Sequence, residues 1–359
     1  TNGMYYYDTQ LNTISHYTVG NSKYNLQDNN IYAVIQAKNT NIIWIGTKNG
    51  LTKLENRQGN IRYFDLNQYS DAKSANLFMI KYDRQDNFWI WSTDGLYRKN
   101  SNQNKFEKIK PSSTYSNNDT ILHAIETKND GLLFASTRGI LQYTPHNQQL
   151  KYLSLKSKNS FYALAELNDN SYCFLSTNLF VTYNSKTKTE RSHYINNYQN
   201  IRLQTSSMEG DSILWIGSNH GILFRYCIKS AEITDTIRIP ANEKIQTLSS
   251  ITAIQTDSLN NLWIATQGSG LFKYSLLQKR FSAIKTSDQN SENIYIIEKD
   301  RHGNLWLSNS LGIIKLNPAT GTQTAFSYNY YILSQEFNKG ASDITPSGKI
   351  LMGGANGFN

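Results

Sequence analysis

Gly268, Ser269 and Gly270, in the stretch NLWIATQGSGLFKY (261–274), are the residues whose types and spacing most suggest chemistry. A glycine-bearing loop of this kind cradles phosphate when it opens a helix. Here it opens a second run of alternating apolar and polar residues, which is the period of a strand. The same arrangement recurs as IIWIGTKNGLTKL (42–54), NFWIWSTDGLYRK (87–99), LLFASTRGILQY (132–143), YCFLSTNLFVTY (172–183), ILWIGSNHGILFRY (213–226), NLWLSNSLGIIKL (304–316) and ILMGGANGFN (350–359). A loop that leads into a strand every time reads as a hairpin turn. The histidines, His16, His123, His146, His193, His220 and His302, are scattered over different repeats without an H-E-x-x-H pairing. No G-x-S-x-G precedes a helix. Two carboxylates 5–9 Å apart would suit acid and base work, but the sequence does not show which of its 27 acidic residues converge. Cys173 and Cys227 have no metal-type spacing and read as two buried thiols. No catalytic residue, metal site or cofactor is assigned.

What would position these residues is a repeat. Its landmark positions, Thr47, Ser92, Thr137, Thr177, Ser218, Thr266, Asn309 and Gly354, are spaced 40 to 48 residues apart. That period, with several short strands per repeat, points to propeller blades. One repeat parses as SSITAIQTD (249–257), NLWIAT, GLFKYS and RFSAIKT (280–286), from the inner strand to the outer. The links DSLNN, DRQDN and DRHGN carry turn-forming residues. Trp44, Trp89, Trp215, Trp263 and Trp306 recur in the second strand, with Phe134 and Phe174 in the remaining repeats, and are expected to pack between blades. The expected fold is all-β: one propeller domain over 1–359, with four-stranded antiparallel blades. Eight blades are expected, with seven as the alternative. In the eight-bladed version the first and last strands, near Tyr5–Tyr7 and Leu351, share the closing blade. No run of 18 apolar residues suggests a membrane span.

The string WIGT-x-x-G-L after a D-x-x-G-N-like turn resembles the regulator-propeller repeat of hybrid two-component sensors in saccharide-degrading bacteria. The closing segment YILSQEFNKGASDITPSGKILMGGANGFN (331–359) is similar to the end of the second propeller of those sensors. The resemblance implies a periplasmic fragment of a longer inner-membrane histidine kinase. It also implies a preceding propeller, a following β-sandwich domain and a homodimer in the full-length protein. It implies recognition of an oligosaccharide without turnover. A structural spacer that relays dimer geometry is the alternative.

The formal charge of +9, from 36 Lys and Arg against 27 Asp and Glu, is spread over nearly every repeat. That distribution favours solvated strand faces over a nucleic-acid surface and leans toward an acidic saccharide. Turns between the second and third strands of each blade share one face. They place Lys48, Asn49, Asp94, Arg138, Asn178, His220, Gln267 and Ser310 in a polar ring there. Trp91 departs from the small residues read before the landmark in other repeats (Gly46, Ser136, Ser176, Gly217, Ala265 and Ser308) and is either a stacking platform for sugar or an inter-blade filler. The long link before the last repeat gathers Tyr330, Tyr331, Glu336 and Asn338. The candidate ligand contacts are Trp91, Asp94, Arg138, His220, Gln267, Tyr331, Glu336 and Asn338.

Overall fold

Three of the links between first and second strands are knots written into the sequence. In the computed structural model, Asp83, Asp257 and Asp300 each accept from the backbone N–H and side-chain amide of an Asn four residues on, and from a Trp Nε1–H six residues on. The Trp bonds, to Trp89, Trp263 and Trp306, measure 2.8, 2.8 and 3.0 Å. Asp86, Asn260 and Gly303, just before each Asn, turn the chain with φ of 60°, 59° and 82°. Asp, Asn and Gly tolerate that conformation best. On the neighbouring third strand, Arg98, Arg225, Lys273 and Lys315 lie over Trp89, Trp215, Trp263 and Trp306, 5.3 to 6.0 Å from the ring centroids. Part of the net positive charge is therefore spent on tryptophan faces.

The structure describes residues 3–8, 13–19, 26–36, 42–55, 64, 76–100, 102–109, 119–129, 131–240, 249–287, 292–327, 336–355 and 357–359, and no helix occurs among them. The chain divides into two compact units, Thr1–Arg62 and Tyr63–Asn359. In the first unit, Met4–Asp8 pairs with Thr13–Tyr17, and Ile31–Gln36, Ile42–Thr47 and Gly50–Glu55 form a three-stranded sheet. Leu26 and Ile45 form its small core, with Met4, Tyr17, Ile31 and Ile43 packed against them.

Six four-stranded antiparallel sheets and a seventh, completed by one bridging residue, make up the second unit. Blade one is Leu77–Tyr82, Asn87–Ser92, Gly95–Asn100 and Glu107–Lys108. Blade two is Ile121–Glu126, Leu132–Ser136, Gly139–Thr144 and Gln149–Tyr152. Blade three is Ala163–Asn168, Ser171–Leu175, Leu179–Asn184 and Thr189–Tyr194. Blade four is Leu203–Glu209, Ile213–Ser218, Ile222–Cys227 and Glu232–Arg238. Blade five is Ser250–Thr256, Asn261–Gln267, Leu271–Ser275 and Arg280–Ile284. Blade six is Ile294–Lys299, Leu305–Asn309, Gly312–Leu316 and Gln323–Ser327. Blade seven is Phe337–Ile344, Ile350–Gly354 and Gly357–Phe358, with Phe64 bridged antiparallel to Phe358 on its outer edge.

The first strand of each blade is innermost, and these strands neighbour one another in a closed cycle of seven, the last against the first. At that seam Lys81 Nζ lies 2.8 Å from Asp343 Oδ1, and the Tyr82 N–H donates to Asp343 Oδ2 at 2.6 Å. The expected composite eighth blade is thereby overturned. Tyr5 and Tyr7 pair with His16 and Ile14, while Leu351 pairs with Asp343. Closure does join distant segments in one sheet, which removes an exposed edge, but the joining segment is Phe64.

Hairpin pairing also corrects the register of two repeats. Ser136 pairs with Gly139, as Thr47 does with Gly50 and Ser92 with Gly95. The landmark of blade two is thus Ser136, and that of blade three, by the Ser176 N–H to Leu179 carbonyl bond, is Ser176. The tryptophan positions there hold Leu133 and Cys173, not Phe134 and Phe174, and the preceding-residue slot holds Ala135 and Leu175. Cys173 is buried, which drives its thiol pKa upward; Cys227 is partly exposed, against the expectation of two buried thiols.

A candidate ligand-binding mouth

The entries of the inner strands share a face with the turns between second and third strands. The Thr137 N–H donates to the Thr120 carbonyl, Asn219 N–H to Arg202, and both Gly268 and Gly270 to Glu292. In blades one, two, four, five and six the entry carries a bulge that leaves Phe78, Leu122, Gln204, Thr252 and Tyr295 out of register. A bulge re-aims side chains away from the ladder. In blade seven the irregularity is larger. Phe337 pairs with Gly354 and Ser342 with Met352, so Asn338, Lys339, Gly340 and Ala341 stand against Gly353 alone.

This enlarged bulge reaches other blades. The Asn338 Nδ2 amide donates to Asn76 Oδ1 at 2.6 Å and to the Leu77 carbonyl at 2.7 Å, at blade one. Gly340 has φ of 78°, and a Cβ on it would lie 2.4 Å from the Leu122 carbonyl oxygen of blade two. Lys339 Nζ reaches Ser250 Oγ of blade five at 3.5 Å. Four blades therefore meet at one segment. Beside it, Gln204 Nε2 donates to Ser250 Oγ and to the Ile251 carbonyl, both at 2.6 Å. The Arg202 guanidinium sits 4.6 Å from the Tyr162 ring centroid. Burial, and then the Arg202 charge, hold the Lys339 ammonium below its ordinary pKa. Burial, and then the Glu336 carboxylate, raise the Tyr295 phenol.

Below the mouth, Ser342 Oγ donates to Glu298 Oε1 at 2.7 Å. Burial pushes the Glu298 carboxyl up to about 7; Asp343 adds to the rise, while the Ser342 bond and Lys81 oppose it. Among the described residues no group of three His, Cys, Asp or Glu stands where it could hold a metal ion.

The eight expected contacts fare differently. Trp91 is 2% exposed and packs with Met79, Ile121, Ala124 and Phe134 between blades one and two, so the stacking-platform expectation is corrected: its ring faces no solvent. Asp94 is committed to its own turn, accepting from Ser92 Oγ at 2.5 Å and Tyr97 OH at 2.7 Å, with Lys108 Nζ 3.7 Å away. Arg138 and His220 stay at their turns, their N–H groups bonded to Ser136 and Ser218. Gln267 is an exposed bridge partner of Asn293. Glu336 and Asn338 do lie at the mouth, Glu336 accepting from the Ala355 N–H through its carbonyl. Tyr330 and Tyr331 fall outside the described residues. A cleft of about 320 Å³ at blades four and five, lined by Glu209, Trp215, Arg225, Asp235, Tyr274 and Lys279 among others, contains none of the eight. Missed in the sequence were Lys339, Arg202, Tyr162, Gln204 and Ser250. Only Lys339 had a signal in the sequence, the surplus of residues between Phe337 and Ser342 against the partner strand.

No family model matches the chain. It is 22% identical over 304 residues to Histidine kinase P4 of Formosa agariphila, covering 68% of this chain and 22% of that protein. Among solved structures it is similar to the extracellular domain of the hybrid two-component system BT3049 of B. thetaiotaomicron: 20% identity, TM-score 0.71, 99% of this chain and 48% of that one. It is also similar to virginiamycin B lyase of Staphylococcus aureus: 14% identity, TM-score 0.67, 83% of this chain and 97% of that one. The chain thus spans about a fifth of the kinase and about half of the sensor domain it resembles. By structure the chain is a β-propeller with extracellular domains of hybrid two-component systems among its neighbours, and at these identities the likeness is one of fold.

Proposed function

We propose that this chain belongs to the extracellular, periplasmic sensor region of a membrane-bound hybrid two-component histidine kinase, and that its ring binds an oligosaccharide at the mouth without transforming it. The observation that carries the reading is the blade-seven bulge. It gathers polar side chains from several blades at one entrance, where a hydroxyl-rich ligand can contact them together. The sensor-domain likeness supports the context. The lyase likeness shows that this fold also serves enzymes, so the fold itself does not decide between binding and turnover. The burial of Trp91 and the pairing of Asp94 leave those two residues to packing and favour ligand contact at the mouth.

The first unit fits a preceding propeller. Within the ring, Ile254 pairs with Ile264 and is 5% exposed; in the first unit Val34 holds the same register opposite Ile45 and is 51% exposed. Tyr32 and Ile35 beside it are exposed too. An apolar inner strand left bare in this way is one that further blades would cover. The homodimer and the following β-sandwich belong to the same reading. Calorimetric titration of the complete periplasmic region against a glycan library tests it. Saturable binding of one saccharide class, without product formation, is expected; product formation, or no glycan bound at any site, would overturn it.

A further inference from the structure

Around Ser250 the mouth presents donors, while the Glu336 carboxylate bears on Tyr295. Gln204 Nε2 must be the amide nitrogen, because it also meets the Ile251 carbonyl at 2.6 Å. Ser250 Oγ therefore accepts from Gln204 at 2.6 Å and faces Lys339 Nζ at 3.5 Å. With both of those neighbours donating, the Ser250 hydroxyl proton is left to point elsewhere. Lys339 carries three N–H donors and accepts nothing; Arg202 carries five. The Arg202 backbone is pinned, its N–H donating to Asn219 Oδ1 at 2.8 Å, while its guanidinium carbon lies over the Tyr162 ring, 4.6 Å from the centroid. Among the described residues neither Lys339 nor Arg202 has a carboxylate within ion-pair distance, whereas Lys81, Arg84, Lys108 and Lys128 each have one. The Lys339–Ser250 and Gln204–Ser250 contacts bring Lys339 to the strand entry that carries Arg202, whose charge bears on the Lys339 ammonium; an anion beside both relieves that repulsion.

We infer that Lys339, Arg202 and Ser250 form a site for a carboxylate or sulfate group on the ligand, so that the saccharide taken at this mouth is an acidic one. The inference deepens the sensor reading and rests on it for the saccharide. The anion site itself stands on the donor geometry. Charge-assisted bonds of this kind are the strong ones, and Arg202 on its aromatic support is preorganised for a planar carboxylate or a sulfate face.

The test titrates the full chain with an oligogalacturonide, a sulfated galactan oligosaccharide, a neutral galactan oligosaccharide of equal length and inorganic sulfate, each at low and high salt. Carboxylate and sulfate sources are separated by the first two probes. One acidic saccharide is expected to bind at least about tenfold more tightly than the neutral one, and more weakly as salt rises. Lys339→Met and Arg202→Gln are each expected to weaken it by about tenfold or more, with melting temperature unchanged. Equal binding of neutral and acidic probes, or affinity unaltered in both variants, overturns the anion site and leaves the sensor reading standing. If sulfate binds through Lys339 and no saccharide does, the anion site holds and the saccharide reading falls. If no probe binds, the inference is overturned.

Discussion

Gly217 and Ile254 occupy one space: a Cβ on Gly217 would come 3.0 Å from Ile254 Cδ1 of the next blade. The pairing recurs at most blade boundaries with the sizes traded; between blades six and seven the two positions are Ser308 and Ser342. Gly353 faces Ile80, and Ala265 and Ala135 share cores with Ile297 and Leu164. Where the second strand carries Trp91, the residue in the register of Ile254 is Ala124, in the same core. Where it carries Leu175, that residue is Ser206. Where one side is large the other is small, as close packing demands. Trp91→Ala is expected to lose about 3–5 kcal/mol of stability, measured by denaturant unfolding, with ligand affinity unchanged. Adding Ala124→Ile is expected to restore part of the loss; strict additivity of the two changes would refute the shared space.

Glu298 makes stability depend on pH. Its folded pKa, about 7, lies above the ordinary 4.5. Between these values the folded chain holds a proton that the unfolded chain has released, so this contribution falls as pH rises through the window and is constant above it. His123 and His193, lowered to about 4 chiefly by burial, act in the opposite sense, losing stability as pH falls from about 6.5 toward 4. The comparison is therefore Glu298→Gln against the unaltered chain. The variant is expected to gain stability relative to it between pH 4.5 and 7; parallel profiles would exclude Glu298 as the source.

The Asp–Asn–Trp knots stabilise individual blades. Against its own burial, which acts the other way, Asp257 is held below the ordinary carboxylate range by the Trp263 and Asn261 bonds. Asp257→Ala strands the Trp263 N–H and the Asn261 amide, and is expected to cost about 1–3 kcal/mol. Tryptophan fluorescence and thermal unfolding read both effects. A silent substitution would show that the turn holds without its acceptor.

Gly340→Ala tests the bulge itself. The left-handed backbone and the Leu122 carbonyl both reject a side chain there, so a loss of more than about 1 kcal/mol is expected, together with weaker ligand binding. Gly303→Ala, at a positive φ where no atom lies within 4 Å of the added Cβ, is the control for backbone strain alone. Equal losses in the two variants would remove the case for a special contact at Gly340.

Repeat period, hairpin turns and strand order were legible because alternation and turn residues encode them locally. Register in the second and third blades was not. ASTRG and LSTNL each offer two adjacent polar residues to the same turn, and only the Ser136–Gly139 and Ser176–Leu179 pairings choose between them. The face of the candidate site was readable from the turns. Its residues were not, since Arg202, Tyr162 and Ser250 converge only through ring closure, and Lys339 only through a bulge whose partners are blades away.

The bond between Phe64 and Phe358 has a kinetic consequence. Lys81 meets Asp343 across 262 positions of chain, and Asn338 meets Leu77 across 261. Such long-range contacts form late. During synthesis, blade one emerges before blade seven and waits with one flank uncovered until Phe337–Ile344 and Gly357–Phe358 arrive. The ring's last step is thus the joining of its oldest and newest segments, and the interval before it is when Leu77, Ile80 and Phe88 are open to association with other chains.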